Sequence, residues 1–239
     1  MKRAMIGVLL GFVVALGYGC KKGTSTIPGQ IRMIITYKVD DLPLVFDTIA
    51  FRNRAGEQYS VERLTYYLSD FRFYKNNSKI YEIDTILYED AHDTSTSHPI
   101  LYVPYNNYDS VAFLIGIDSL HNITGALPPT LQNNEMVWPD PMGGGYHFIR
   151  LEGHWRDITG VVGYTIHLGM NSYQVHAGVG HALNVESDAA GMLKMVMNVN
   201  EWFSNPHTYS FNADGVYTMG IDSLMQKIRD NGTDVFTAY

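Results

Sequence analysis

From Ile31 onward, apolar residues recur mostly with a period of two in short runs, and turn residues interrupt them roughly every 8–12 positions. "IRMIITYKVD" (31–40) and "LPLVFDTIAF" (42–51) read as strands, followed by a turn at Ala55-Gly56. Ser60 is placed to cap one helical turn through Val61–Leu64. "YYLSDFRFY" (66–74) returns to strand, with Tyr67, Ser69, Phe71 and Phe73 on one face; "KNNS" turns the chain into a further strand, "IYEIDTILYED". The unbroken apolar run "DSVAFLIGID" (109–118) fits a strand buried on both faces. Residues 119–145 hold four prolines and no clear period, a length that in a compact domain usually marks function or disorder. "YHFIRLEGHW" and "VVGYTIHLGM" read as paired strands about "RDITG", and "MLKMVMNVN" as a late strand. A short helix is expected to begin at Asn200, and a terminal helix to run from a Ser223 cap to Gly232. The whole predicts an all-β chain, an antiparallel β-sandwich of immunoglobulin-like or jelly-roll-like kind, with one or two short helices near the C-terminus.

The N-terminus departs from this pattern. In "MKRAMIGVLLGFVVALGYGC", Lys2 and Arg3 precede an apolar run too short for a stable membrane span, and small residues lead to Cys20. This is the layout of a secretory signal, and Cys20, the only cysteine, stands where a bacterial lipoprotein would be cleaved and lipidated; Gly17 occupies the place where that box usually has leucine, so ordinary signal cleavage is the alternative. Residues 21–30 read as a flexible tether and 31–239 as one domain. The expected place is the periplasm or outer membrane, lipid-anchored at Cys20. A net charge of −7 without a basic patch sets nucleic acid aside as a partner. Nucleophile elbow, phosphate loop and zinc-protease helix are all missing from the sequence.

"YKVDDLPLVFDT", "YSVERLTYYLSDFRFY", "AFLIGIDS", "MVWPDPMGGGYHFIRLEG", "YTIHLG" and "IRDNGTDVF" follow one another in an order that resembles the MbnP-like family, the bacterial periplasmic proteins named for a methanobactin-associated copper protein. The resemblance runs from about Ile31 to Phe236. It implies a β-rich sandwich and, in the characterised branch, bound copper. It also implies a tryptophan oxidised to kynurenine by a di-haem partner related to cytochrome c peroxidases. Trp138 matches the first tryptophan of the family segment; a second is replaced by Pro139-Asp140-Pro141, and Glu135 stands where the family has glycine.

Copper outside the reducing cytosol favours imidazole ligands, and the chain carries nine histidines. If the two strands about Ile158 form a hairpin, Ile149 should face His167 and His147 should face Gly169. His147 and His167 then lie diagonally on one sheet face, close enough to share a metal, whereas His154 points away. A one-residue slip would separate them. A strand histidine is more often a half-buried polar residue than a ligand. His176 and His181, in "YQVHAGVGHALN", read either as a loop folding over a metal or as an idle tip; His92, His98, His121 and His207 sit in loops and turns. Gly143-Gly144-Gly145 could bring the backbone against Trp138 or simply turn a corner. Met195 and Met197 share a face with Leu193 and read as core.

The expected function is therefore a non-catalytic copper-binding protein for acquisition, storage or delivery, with His147, His167, His176 and His181 as candidate ligands and Trp138 as the modifiable residue. The alternative is a surface lipoprotein module binding protein or glycan without metal, through Trp138, Trp155 and the tyrosines of "LYVPYNNYD". A mononuclear metal enzyme is a weaker third reading, since no general base lies beside the ligands in sequence.

Overall fold

The computed structural model describes residues 28–93, 100–186 and 190–239. The signal-like segment with Cys20, most of the tether and His98 lie outside the described residues. The strands are β1 (Gly29–Val39), β2 (Leu42–Pro43), β3 (Phe51–Arg52), β4 (Gln58–Tyr59), β5 (Arg63–Lys75), β6 (Ser78–Asp90) and β7 (Ile100–Val103). After β8 (Asn106–Ile115) come a short helix α1 (Leu131–Glu135), β9 (His147–Arg156), β10 (Val161–Gly169), β11 (Val175–Val185) and β12 (Gly191–Asn198). Helix α2 (Asp222–Asn231) and β13 (Phe236–Ala238) close the chain.

Two sheets face each other, as the alternation predicts. The smaller has the order β13-β12-β1-β2, with β7 also on β1; the larger has the order β11-β8-β5-β9-β4-β3, with β6 on β5 and β10 on β9. Strand β5 organises the larger sheet. One edge carries β6 throughout, and the other carries β9 against Arg63–Tyr66 and then β8 against Leu68–Tyr74. The two tandem strands therefore abut where β8 ends and β9 begins. Most pairings are antiparallel, but β1 and β12 run parallel from Ile31↔Gly191 to Lys38↔Asn198, which alternation alone does not reveal.

The core lies between the sheets. Met33, Leu193, Met195 and Met197 are fully buried from the small sheet and Tyr66, Phe71, Phe73 and Ile115 from the large one, so the late methionines do fill the core. Phe236 meets Tyr66 and Phe113 at ring separations of 6.2 and 5.5 Å across the layers. Buried tyrosines keep their hydroxyls bonded: Tyr59 donates to Asn200 at 2.8 Å and Tyr164 to the Ser60 carbonyl at 2.8 Å.

Several local expectations need correction. Residues 61–64 form no helical turn, because the Ser60 and Glu62 amides bond to the backbone of β9. Residues 42–51 are not one strand; Pro43 ends β2, and Asp47 takes a φ of 58°. Strand β1 begins at Gly29, inside the expected tether. Ser223 lies within α2, whose N-cap is Ile221, and the turn at Asn200 is a 3-10 helix (Val199–Phe203) capped by Asn198. The hairpin at Asn76-Asn77 holds: both take φ near 50–60°, as a two-residue turn requires.

Candidate metal centre

The site grows from the β9–β10 hairpin. From Val161↔Arg156 to Leu168↔Ile149 its register places His167 opposite Arg150, one residue away from the expected Ile149. By period two alone His147 would then share a face with Ile149 and Leu151, away from His167. The register shifts between Leu168 and Gly169, however, and Gly169 faces His147. Phe148 is the residue left over, and its ring packs on Gly116 at the end of β8. This bulge cancels the slip and returns His147 to the face of His167. The two imidazoles stand with centroids 4.9 Å apart and planes at 87°, and the residues are only 6% and 7% exposed.

Hydrogen bonds fix which nitrogen of each ring is available. His147 Nδ1 lies 3.1 Å from the Met136 carbonyl oxygen, which can only accept, so Nδ1 carries the proton. Its Nε2 is left as a lone pair, buried and without a hydrogen-bond partner among the described residues. His167 Nε2 donates to Glu152 Oε1 at 2.8 Å, which leaves Nδ1 as the basic nitrogen. Glu152 is held in turn by Arg150 (Nε 3.0 Å, Nη2 2.8 Å) and Arg63 (3.4 Å). Thr218 fixes the His167 backbone from both sides, accepting from its amide at 2.8 Å and donating to its carbonyl at 2.6 Å.

Electrostatics agree with this assignment. Burial, and then repulsion from His167, pushes His147 down to about 4, so it is a neutral imidazole at physiological pH. For Glu152 burial opposes the charge, but the His167 hydrogen bond and the Arg150 guanidinium outweigh it and hold the carboxyl at about 2. A histidine that donates to a fixed carboxylate is a standard support for a metal-binding imidazole.

Trp138 forms the third wall. It is fully buried, and its ring centroid lies 4.8 Å from that of His147. The three glycines before β9 all take positive φ (108°, 66° and 84°), and the turn folds back on the tryptophan. The Trp138 amide donates to the Gly145 carbonyl at 2.9 Å, and the indole N–H to the Met142 carbonyl at 3.1 Å. The glycine run thus both turns a corner and seats Trp138. On the other side the indole lies on Gly169, where an added methyl would overlap the ring. Gly169→Ala is expected to cost about 2 kcal/mol of stability and to tilt Trp138, read as a lower urea midpoint with altered tryptophan fluorescence.

Other candidates lie elsewhere. His176 and His181 belong to strand β11 rather than a loop; His176 is exposed opposite Leu114, and His181 sits at a register irregularity. Neither joins His147 and His167 in a donor group. The sequence predicts His154 on the opposite face; the observed register instead puts it on the face of Arg150, Glu152 and His167, but further along the hairpin, opposite Gly163, where it turns to Glu62. Trp155 is buried, as is Trp138, so neither serves as a surface contact for a partner; Tyr102 and Tyr105 are exposed. Among the described residues, the three-donor cluster whose atoms lie within 4.8 Å of one another is Asp84, Asp118 and His121. Sequence reading missed it because its members meet across separate elements. Arg63, Glu152 and Thr218 were also missed, since charge and hydroxyl positions give no periodic signal.

Comparison with known proteins places these observations. The sequence profile of the MbnP family matches residues 28–222. MbnP from Methylosinus trichosporium is a similar solved structure, with 13% identity, 74% of this chain and 77% of that chain covered, and a TM-score of 0.48. The curated proteins contain no match.

Proposed function

The chain belongs to the MbnP family, and from that premise we propose that it binds copper, for acquisition, storage or delivery, without catalytic turnover of its own. The observation that carries this reading is the buried, unpartnered Nε2 of His147, in a ring whose centroid lies 4.9 Å from that of His167. A buried acceptor left unbonded costs about 1–3 kcal/mol, and a metal ion would satisfy it. Imidazole suits copper. Among the described residues no third histidine, cysteine or carboxylate joins His147 and His167 in a group whose donor atoms all lie within 4.8 Å of one another, Glu152 being held at the Nε2 of His167. Two nitrogen donors are enough for Cu(I), which accepts low coordination numbers, whereas a structural zinc site takes four ligands. Glu152 is engaged by Arg150 and His167, so it does not stand free as a general base, which supports a binding role.

Trp138 is the residue proposed for oxidation by a di-haem partner. Its full burial means that such a partner would withdraw electrons through intervening protein rather than touch the ring. The proposed location is the periplasm or outer membrane, with a lipid on Cys20; the support is the signal-like segment.

The test is an anaerobic Cu(I) titration against a chelator of known affinity, with Zn(II) in a parallel arm and the intact mass of protein from its native host. One tight equivalent of copper, with zinc bound at least tenfold more weakly, supports the reading. Absence of tight copper sinks it, whatever the mass shows.

A further inference from the structure

A separate cavity of about 880 Å³ opens beside the small sheet. Its walls come from β1, the end of β6 and the segment leading into α1, and they include Ile34, Tyr37, Phe46, Tyr88 and Leu127. The volume suits a small-molecule ligand, and the mixture of aliphatic and aromatic walls is that of a binding pocket. Its acids outnumber its bases: among the described lining residues the basic side chain is His92, whose ring stacks on Phe46 at 3.6 Å with Nδ1 3.8 Å from Asp90. Glu89, Asp90 and Asp93 line it, and among the described lining residues there is no lysine or arginine. Glu89 Oε1 is buried and has no hydrogen-bond partner among the described residues. The charged and titratable groups around the cavity are Asp90, Asp93, His92, Tyr88 and the Tyr37–Tyr66 pair, whose hydroxyls bond each other at 2.9 Å.

A buried acceptor with acidic neighbours and aromatic walls has a defined chemical complement. An anion would meet three carboxyls, and a neutral hydrocarbon would leave Glu89 unbonded. An ammonium head supplies N–H donors and charge to the carboxyl, favourable contact with aromatic faces, and an apolar body for the remainder. We propose that this cavity binds a free small organic cation, an alkyl- or aralkylammonium, with Glu89 as its counter-charge and the Tyr37, Phe46 and Tyr88 rings as its walls. Its walls include none of His147, His167 and Trp138, so this site does not depend on the copper reading.

Isothermal titration of the purified protein with hexylammonium, hexanol, hexanoate and a lysine-containing peptide tests it. The expected order is hexylammonium tightest, hexanol at least tenfold weaker, and hexanoate and peptide without measurable binding. Glu89→Gln should weaken hexylammonium at least tenfold, and Ile34→Trp, which fills the cavity while keeping every carboxyl, should abolish it. A His147→Ala, His167→Ala double variant should bind hexylammonium as the parent does. Equal binding of amine and alcohol, undiminished binding by Glu89→Gln, tighter binding of the peptide than the free amine, or no amine binding would each overturn the proposal.

Discussion

His147→Ala is expected to lower Cu(I) affinity on the order of a thousandfold, about 4 kcal/mol, while leaving the fold intact. The ring contributes the unpartnered Nε2, and its removal takes one of only two imidazole donors at the pair. Removing it also relieves a cost of the apo protein, because a buried acceptor without a partner is destabilising. Apo stability should therefore change little, which separates loss of a ligand from general unfolding. His167→Ala should show the same loss of copper with a clearer loss of apo stability, since it strands Glu152 without the His167 hydrogen bond. Glu152→Gln keeps both ligands and should weaken copper only about 10–100-fold, by loosening the support of His167. Competition titrations of the three variants, with urea unfolding of each apo form, give the ranking. Parent-like copper affinity in His147→Ala would remove this histidine from the site and with it the main structural support for copper binding here.

The fold was largely legible from period-two alternation and turn residues. Every long strand of the large sheet begins or ends near a Gly, Asn or Pro signal, and "KNNS" gave its hairpin because two asparagines tolerate left-handed backbone. The parallel β1–β12 pair was not legible, since alternation carries no direction and the partners lie far apart in sequence. The histidine pair is the instructive case. The expected register was wrong by one along most of the hairpin, yet His147 and His167 do meet, because the Phe148 bulge restores the pairing of His147 with Gly169. A bulge depends on what the extra side chain finds to pack on, here Gly116 just past the end of β8, and no local pattern announces that. The same limit hid Glu152 and Thr218, and it made His176 and His181 read as loop residues although Val175–Val185 is a paired strand. Trp138 was found through family resemblance, and its seat between the glycine turn and Gly169 required coordinates.

Glu89→Gln should stabilise the protein at pH 8 and have a much smaller effect at pH 5. Burial, then the charge of Asp93, raises the Glu89 carboxyl from its ordinary 4.5 to about 7. The folded state thus holds this proton more tightly than the unfolded chain does. Its stabilising contribution is complete below about pH 4.5 and is lost progressively as pH rises to about 7, above which the folded protein carries a buried carboxylate. A shift of this size corresponds to about 3 kcal/mol between the two limits, and to about 2 kcal/mol between pH 5 and pH 8. Glutamine has the same shape without the ionisation, so parent and variant should diverge across that window, with Asp90, Asp93, His92, Tyr37 and Tyr88 lining the cavity in both. Urea midpoints at pH 5, 6, 7 and 8 measure the divergence; parallel curves would show that Glu89 is not buried as a charge. A carboxyl that weakens its own fold at neutral pH is a structural liability unless something binds it. An organic cation in the cavity would offset that cost, so hexylammonium should raise the parent's urea midpoint at pH 8 and leave Glu89→Gln, already relieved of the charge, nearly unmoved.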